Sequence, residues 1–244
     1  MQVNTQIIKK RFEKAMDKYN CNAVVQTHMA HRLIETLSRY GINFDKILEL
    51  GAGTGLLTKE AVTHLYYKTY YANDLVDKSK YYLDKILPAY TFISGNAQEI
   101  MPVEKMNLII SNAMFQWFTD IDFTHFANLL EQGGLLAFTT FSPSNFKEIR
   151  EVTGLSLDYK STAQIRKAMH LNFEILYIEE YNKILNFKSV LELLAHMKNT
   201  GVNALSSHGM TYKSVKDLCD KYTEKFGNIS LTYSPVIIIG KKSA

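Results

Sequence analysis

The stretch from Ile47 to Gly55, reading ILELGAGTG, constrains this chain more than any other. Ile47, Leu48 and Leu50 predict a short apolar strand of the kind that lies inside a parallel sheet with both faces covered. Gly51, Gly53 and Gly55 follow at alternate positions, where the missing side chains let the backbone turn sharply and approach a ligand. From Leu56 to His64 the pattern reads as a helix, so the glycines occupy a strand-to-helix corner. Doubly wound sheets meet nucleotide ligands at that corner. A dinucleotide fingerprint carries its third glycine three residues after the second, against a pyrophosphate; here that position is Leu56. Taken alone, the run also reads as an ordinary glycine-rich turn.

Three further strand ends add polar groups to the same edge. Lys68 to Asp74, KTYYAND, reads as a second strand ending in a carboxylate suited to accept from both ribose hydroxyls. Thr91 to Ile93 leads into Gly95, Asn96 and Ala97, a turn suited to an adenine edge, and Met106 to Ser111 ends in Asn112. Each of these polar residues is also a turn-former in its own right. Leu56 in place of a third glycine, together with Asp74, points to S-adenosylmethionine instead of a dinucleotide. The candidate cofactor contacts are Glu49, Gly51, Ala52, Gly53, Gly55, Asp74, Leu75, Asn96, Ala97 and Asn112.

Strands and helices alternate around this motif: strand 46–51, helix 56–64, strand 68–74, helix 77–86, strands 91–94 and 106–111, helix 122–131, strand 134–141. The order predicts a mostly parallel α/β sheet with right-handed crossovers. Residues 1–40 read as two N-terminal helices and 41–141 as the cofactor-binding core of a single domain spanning 1–244. Segments 142–171 and 186–226 read as a helical cap, and 172–185 and 227–244 as final strands returning to the sheet. Phe173 to Leu185 and Ile229 to Ile239 each look like one long strand. Pro102 leaves room for only a short helix between 97 and 105.

The 244 residues, 46% hydrophobic and 21% charged, suffice for one large core. Met1 to Lys14 is too polar for the apolar centre of a signal peptide, and no apolar run approaches the roughly 20 residues of a membrane helix, which predicts a cytoplasmic protein. Cys21 and Cys219 lie far apart and the seven histidines form no paired motif, so neither a disulfide framework nor a metal site is expected. A net charge of +4 is too small to imply nucleic acid.

With LELGAGTG at 48–55, Asp74, LIISNAMFQWF at 108–118 and EQGGLLAFTTF at 131–141, the chain resembles class I S-adenosylmethionine-dependent methyltransferases. RFEKAMDKYN at 11–20 with Gln26, FSPSNFKEIREVTG at 141–154 and LELLAHMKNTGVNAL at 191–205 make it similar to one branch of them, the malonyl-acyl-carrier-protein O-methyltransferases of biotin synthesis. The resemblance implies a Rossmann-like fold, a mostly parallel seven-stranded sheet with helices on both faces and a small helical cap. Asn96 stands where such enzymes carry an acid, giving adenine a weaker, neutral acceptor, and Asn107 replaces the acid that opens their fourth strand.

The implied acceptor is malonate in thioester linkage to an acidic acyl carrier protein, methylated on its free carboxylate. Such a carboxylate, with a pKa of about 4, is ionised at neutral pH and requires no general base. The cationic partner proposed for it is Arg150, with Lys147 as substitute, because a guanidinium binds carboxylates in a fixed fork. Tyr19 matches the family's amino-terminal tyrosine, expected to close over the cofactor or donate in the pocket; Trp117 reads first as core. Lys160, Arg166, Lys167, Lys188 and Lys198 in the expected cap are candidates to meet the carrier. A different small-molecule acceptor and a non-catalytic binding protein remain alternatives, because one scaffold hosts many acceptors.

Overall fold

The computed structural model describes residues 5–101, 104–201 and 212–243. Two helices open the chain, α1 (Thr5–Asn22) and α2 (Val24–Leu37). The α/β body follows as β1 (Asn43–Leu50), α3 (Leu56–His64), β2 (Tyr66–Asp74), α4 (Ser79–Leu83), β3 (Thr91–Ser94), β4 (Met106–Ser111), α5 (Phe123–Leu129) and β5 (Leu130–Phe141). The remainder is α6 (Lys147–Thr153), α7 (Thr162–Met169), β6 (Phe173–Glu180), β7 (Lys183–Asn186), α8 (Val190–Asn199), α9 (Tyr212–Phe226), β8 (Ser230–Tyr233) and β9 (Pro235–Lys242).

Seven strands form the main sheet in the order β3-β2-β1-β4-β5-β9-β6. The first five run parallel, and β9 is antiparallel to both of its neighbours. This is the seven-stranded α/β sheet the sequence led us to expect. Chain order reverses between β1 and β4, so the ends of these strands open a crevice, the usual ligand edge of such sheets. Leu48, Leu50, Ile109, Leu136 and Ile238 face α5 and α7 on one side. Ile47, Leu108, Ile110, Ala137 and Ile239 face α2 and α3 on the other. With both faces covered, β4 is buried at every residue but Asn107, as suits a central parallel strand.

Both expected long late strands break. The 173–185 run divides into β6 in the main sheet and β7 outside it, and the 229–239 run divides at Ser234 into β8 and β9. β7 and β8 pair with each other as a separate antiparallel ribbon, which packs with α6, α8 and α9 around Leu193, Tyr222, Leu231 and Tyr233. The cause lies at Ser234–Pro235 and in the side chains beside it. Pro235 has no N–H to give a ladder. The Ser234 N–H donates to Asn145 Oδ1 at 3.1 Å, and its hydroxyl donates to Asn182 Oδ1 at 2.8 Å. The buried Glu148 carboxylate accepts the Thr232 N–H at 3.0 Å and the Thr232 hydroxyl, so residues 145–148 stand in for a strand beside β8. α7 leaves the expected cap segment 142–171: its Ile165 and Met169 belong to the core beneath the main sheet. The expected helix 77–86 is shorter, and β5 begins at Leu130, ahead of the expected 134.

Candidate functional site

The glycine corner has the conformation its residues require. Gly51, Gly53 and Gly55 have φ of +68°, +55° and +80°, a region that costs side-chain-bearing residues. A Cβ on Gly51 would lie 2.7 Å from Met114 Cγ, so the loop after β4 closes directly over the corner. The Ala52 N–H donates to the Asn73 carbonyl at 3.0 Å, and Gly55 begins α3.

Asp74, at the end of β2, is buried, and its two oxygens accept from different backbone groups: Oδ2 from the Gly53 N–H at 2.7 Å and Oδ1 from the Val76 N–H at 2.7 Å. Burial pushes its pKa up and these bonds oppose the shift. Each oxygen keeps a lone pair for a further donor. Glu49, in β1, is also buried and accepts from Tyr70 Oη at 2.6 Å and Thr58 Oγ1 at 2.7 Å. Burial pushes its pKa up to about 7 despite these bonds, with the nearby Asp74 charge adding to the rise.

Above the corner lies a cavity of about 430 Å³, within the range of small-molecule sites. Of the residues read from the sequence, Tyr19, Glu49, Gly51, Ala52, Gly53, Asp74, Leu75, Asn96, Ala97 and Asn112 line it. Gly55 and Arg150 do not; Gly55 acts at the helix start, and the Arg150 guanidinium donates to the Pro143 carbonyl. Among the described lining residues Lys9 is the cation, and it pairs with Asp77 at 3.4 Å.

Asn112 lines the cavity, but both ends of its amide are already engaged. Its Nδ2 donates to the Gln26 carbonyl at 3.0 Å and its Oδ1 accepts from Thr139 Oγ1 at 2.7 Å. Thr139 Oγ1 in turn accepts the Ala113 N–H at 2.9 Å, and Ala113 holds a φ of +52°. The side chain read from the sequence as a cofactor contact thus ties α2, β4 and β5 together. Asn96 is similarly engaged, with Nδ2 donating to Glu99 Oε1 at 2.8 Å and Oδ1 accepting the Gln98 N–H at 3.2 Å.

The wall opposite the sheet is α1. Met16 and Tyr19 turn inward, and Phe12 packs over the corner, its Cζ 3.2 Å from where a Cβ on Gly53 would lie. Burial raises the Tyr19 pKa far above the ordinary phenol value, so its hydroxyl stays neutral. The helix is fastened by Asp17, which accepts from Lys78 at 2.8 Å and Tyr82 at 2.5 Å, and by a bond between Asn20 and Thr54. Phe12, Met114, Gln98 and Gly201 were not singled out from sequence. The first two carry only the signal of apolar residues at helical or loop positions, which reads as core. Trp117, read first as core, both lines the cavity and packs against the cap. The candidate carrier contacts disperse: Lys160 pairs with Asp158 at 2.6 Å, Arg166 and Lys167 ride on α7 against the sheet, Lys188 precedes α8 and Lys198 lies in its last turn. None of the described helices is long and apolar enough to cross a membrane.

Residues 25–207 match the family model of a methyltransferase domain. A malonyl-acyl-carrier-protein O-methyltransferase of Bacteroides thetaiotaomicron is 35% identical over 98% of this chain and 99% of its own length. One of Chlorobium luteolum is 34% identical, covering 94% of this chain and 92% of itself. Among solved structures, an N-methyltransferase of Bradyrhizobium japonicum in complex with S-adenosyl-L-homocysteine superposes with a TM-score of 0.61 at 10% identity, over 97% of this chain and 99% of that one. At that identity the likeness concerns the fold.

Proposed function

This chain belongs to the malonyl-acyl-carrier-protein O-methyltransferases, within the methyltransferase domain family, and from that premise we propose its acceptor and the residues that meet it. It is an S-adenosylmethionine-dependent methyltransferase. The acceptor is the free carboxylate of a malonyl group in thioester linkage to a carrier protein, converted to its methyl ester early in biotin synthesis. The observation that carries this reading is the similarity over nearly the whole chain, cap included, to enzymes of that name. The cap is where acceptors are distinguished on a shared scaffold.

The cavity fits the cofactor. Asp74 keeps acceptor capacity at the end of β2 where ribose hydroxyls are met, and the three positive-φ glycines leave room against the backbone. S-adenosylmethionine supplies an electrophilic methyl on a sulfonium. In this proposal Glu49 faces the cofactor's cationic end, Asp74 its ribose, and Asn96, Ala97 and Leu75 its base. Phe12, Met114, Trp117 and Phe118 add an apolar stretch of wall that keeps water from that part of the cavity. Union of a cation with an anion gains from such a setting, because the charges to be neutralised are poorly solvated there.

Arg150, read from sequence as the acceptor's cationic partner, bonds outside the cavity, while Tyr19, read as closing over the cofactor or donating in the pocket, walls it and is the better placed to meet the acceptor. A neutral hydroxyl orients one carboxylate oxygen without holding the anion as tightly as a guanidinium does. To test the assignment, protein and methyl-labelled donor are offered malonyl carrier protein alongside an unrelated carboxylic acid. Label is expected on the malonyl substrate; transfer to the other acid alone would reject the reading.

A further inference from the structure

Lys10, Lys14 and Lys18 follow one another at intervals of four along α1, which places them on a single face about 6 Å apart. All three are exposed, and none takes part in the ion pairs among the described residues. Like charges four apart on a helix repel, so the arrangement weakens the helix unless an anion faces it. Two acids border this face: Glu13, three residues after Lys10, is exposed and joins none of the ion pairs among the described residues, and the other is already engaged. Asp17 is turned to Lys78 and Tyr82 on the α4 side. α9 also interleaves lysines with acids, but there Lys216 and Asp220, and Asp217 and Lys221, stand four apart with opposite charges, whereas on this face of α1 the residues four apart are lysines.

The stripe is the back of the helix whose inner face walls the cavity. Ala15, Met16 and Tyr19 are turned inward, opposite the lysines. Among the described lining residues the exposed ones are Thr5, at the start of α1, Thr119 and Asp120, which puts the mouth at the first turn of α1. The centre of the stripe, Lys14, lies about 14 Å along the helix from Thr5, and a helix diameter of roughly 10 Å separates the outer face from the inner one, so a body resting there must reach around the start of the helix.

We propose that the Lys10, Lys14 and Lys18 face of α1 is the docking surface for a carrier protein whose contact face is rich in carboxylates, delivering its thioester around the start of α1 into the cavity. This rests on the reading that the acceptor is carried on a protein. It moves the docking surface from the dispersed cap cations to the helix that closes the site. Charge complementarity of this kind acts mainly on encounter, and salt weakens it.

The test is the triple variant K10E/K14E/K18E, compared with K160E/R166E/K167E. Steady-state rates are measured with malonyl carrier protein and with the malonyl thioester of a small thiol, and carrier binding is measured directly without methyl donor. For the α1 variant, kcat/KM with the carrier substrate and carrier affinity should fall at least about tenfold, with the small thioester unaffected. The second variant should match wild type on both substrates. Unchanged carrier binding and turnover in the α1 variant would overturn the proposal, as would equal losses on both substrates, which would mean damage to the cavity wall. Wild-type enzyme that ignores both malonyl substrates while binding the methyl donor would instead reject the acceptor reading, and the binding measurement still decides the surface.

Discussion

Replacing Thr139 with valine removes one hydroxyl from the floor of the site while nearly preserving shape. That hydroxyl donates to Asn112 Oδ1 at 2.7 Å and accepts the Ala113 N–H at 2.9 Å, and Thr139 itself is fully buried. Valine leaves the Ala113 N–H without its partner, and because Ala113 is part-buried and lines the cavity this costs about 1 kcal/mol, the low end for such a group. Asn112 Oδ1 likewise borders the cavity and can turn to water. Ala113 then has nothing to offset its φ of +52°, a conformation costing about 1–2 kcal/mol for a residue with a Cβ. A segment that relaxes must be forced back when cofactor binds, so S-adenosylmethionine affinity should drop by about 5- to 30-fold, the equivalent of that cost. Thr139→Ser keeps the hydroxyl and loses one methyl, for which about 1 kcal/mol of stability is expected and little affinity. Urea unfolding and calorimetric titration of both variants give the answer. Valine and serine variants with equal cofactor affinity would refute the idea that Thr139 holds the loop.

Further outcomes follow from the same geometry. Glu49 retains its proton in the native state up to about pH 7. Folding therefore takes up a proton between the unfolded glutamate value and that point, so the stability of the cofactor-free protein falls as pH rises through this window and levels off above it. Glu49→Gln keeps an acceptor for Tyr70 and Thr58, and should be more stable than wild type by on the order of 3 kcal/mol at about pH 8.5, with the gap closing toward about pH 5; denaturant melts showing no change of the gap with pH would contradict it. Asp74→Asn turns an amide NH₂ toward a backbone N–H that now meets a carboxylate oxygen, and should weaken cofactor binding at least about tenfold by calorimetry. Gly51→Ala places a Cβ 2.7 Å from Met114 Cγ at a φ of +68° and should lower both the melting temperature and cofactor affinity.

The glycine corner and the strand ends that line the cavity are legible in the sequence because their signals are local. Gly51, Gly53 and Gly55 advertise a backbone that no other residue adopts cheaply, and Asp74 and Asn112 sit at ends of recognisable apolar strands. What those polar side chains do is less legible. Asn112 looks from sequence like a group offered to a ligand, yet Gln26 and Thr139, far away in the chain, occupy both ends of its amide. The broken late strands were hidden for a related reason. Alternation through Ser234 continues across the break, and the side chains of Asn145 and Glu148 that replace ladder partners come from a helix start. α7 has the apolar spacing of a cap helix, and only tertiary packing decides that Ile165 and Met169 go beneath the sheet. Phe12 carries no chemistry of its own and becomes part of the site because α1 is fastened over Gly53.

The acceptor assignment is most directly tested by where the methyl goes. Enzyme is incubated with donor carrying a ¹³C-methyl group and with malonyl carrier protein, and the product is read by NMR and by its lability to mild base. The account predicts a single new O-methyl signal, released as methanol by base and dependent on the free malonyl carboxylate. A ¹³C-methyl attached to carbon, nitrogen or sulfur, or a malonyl carrier left unlabelled while another acceptor is methylated, would contradict it.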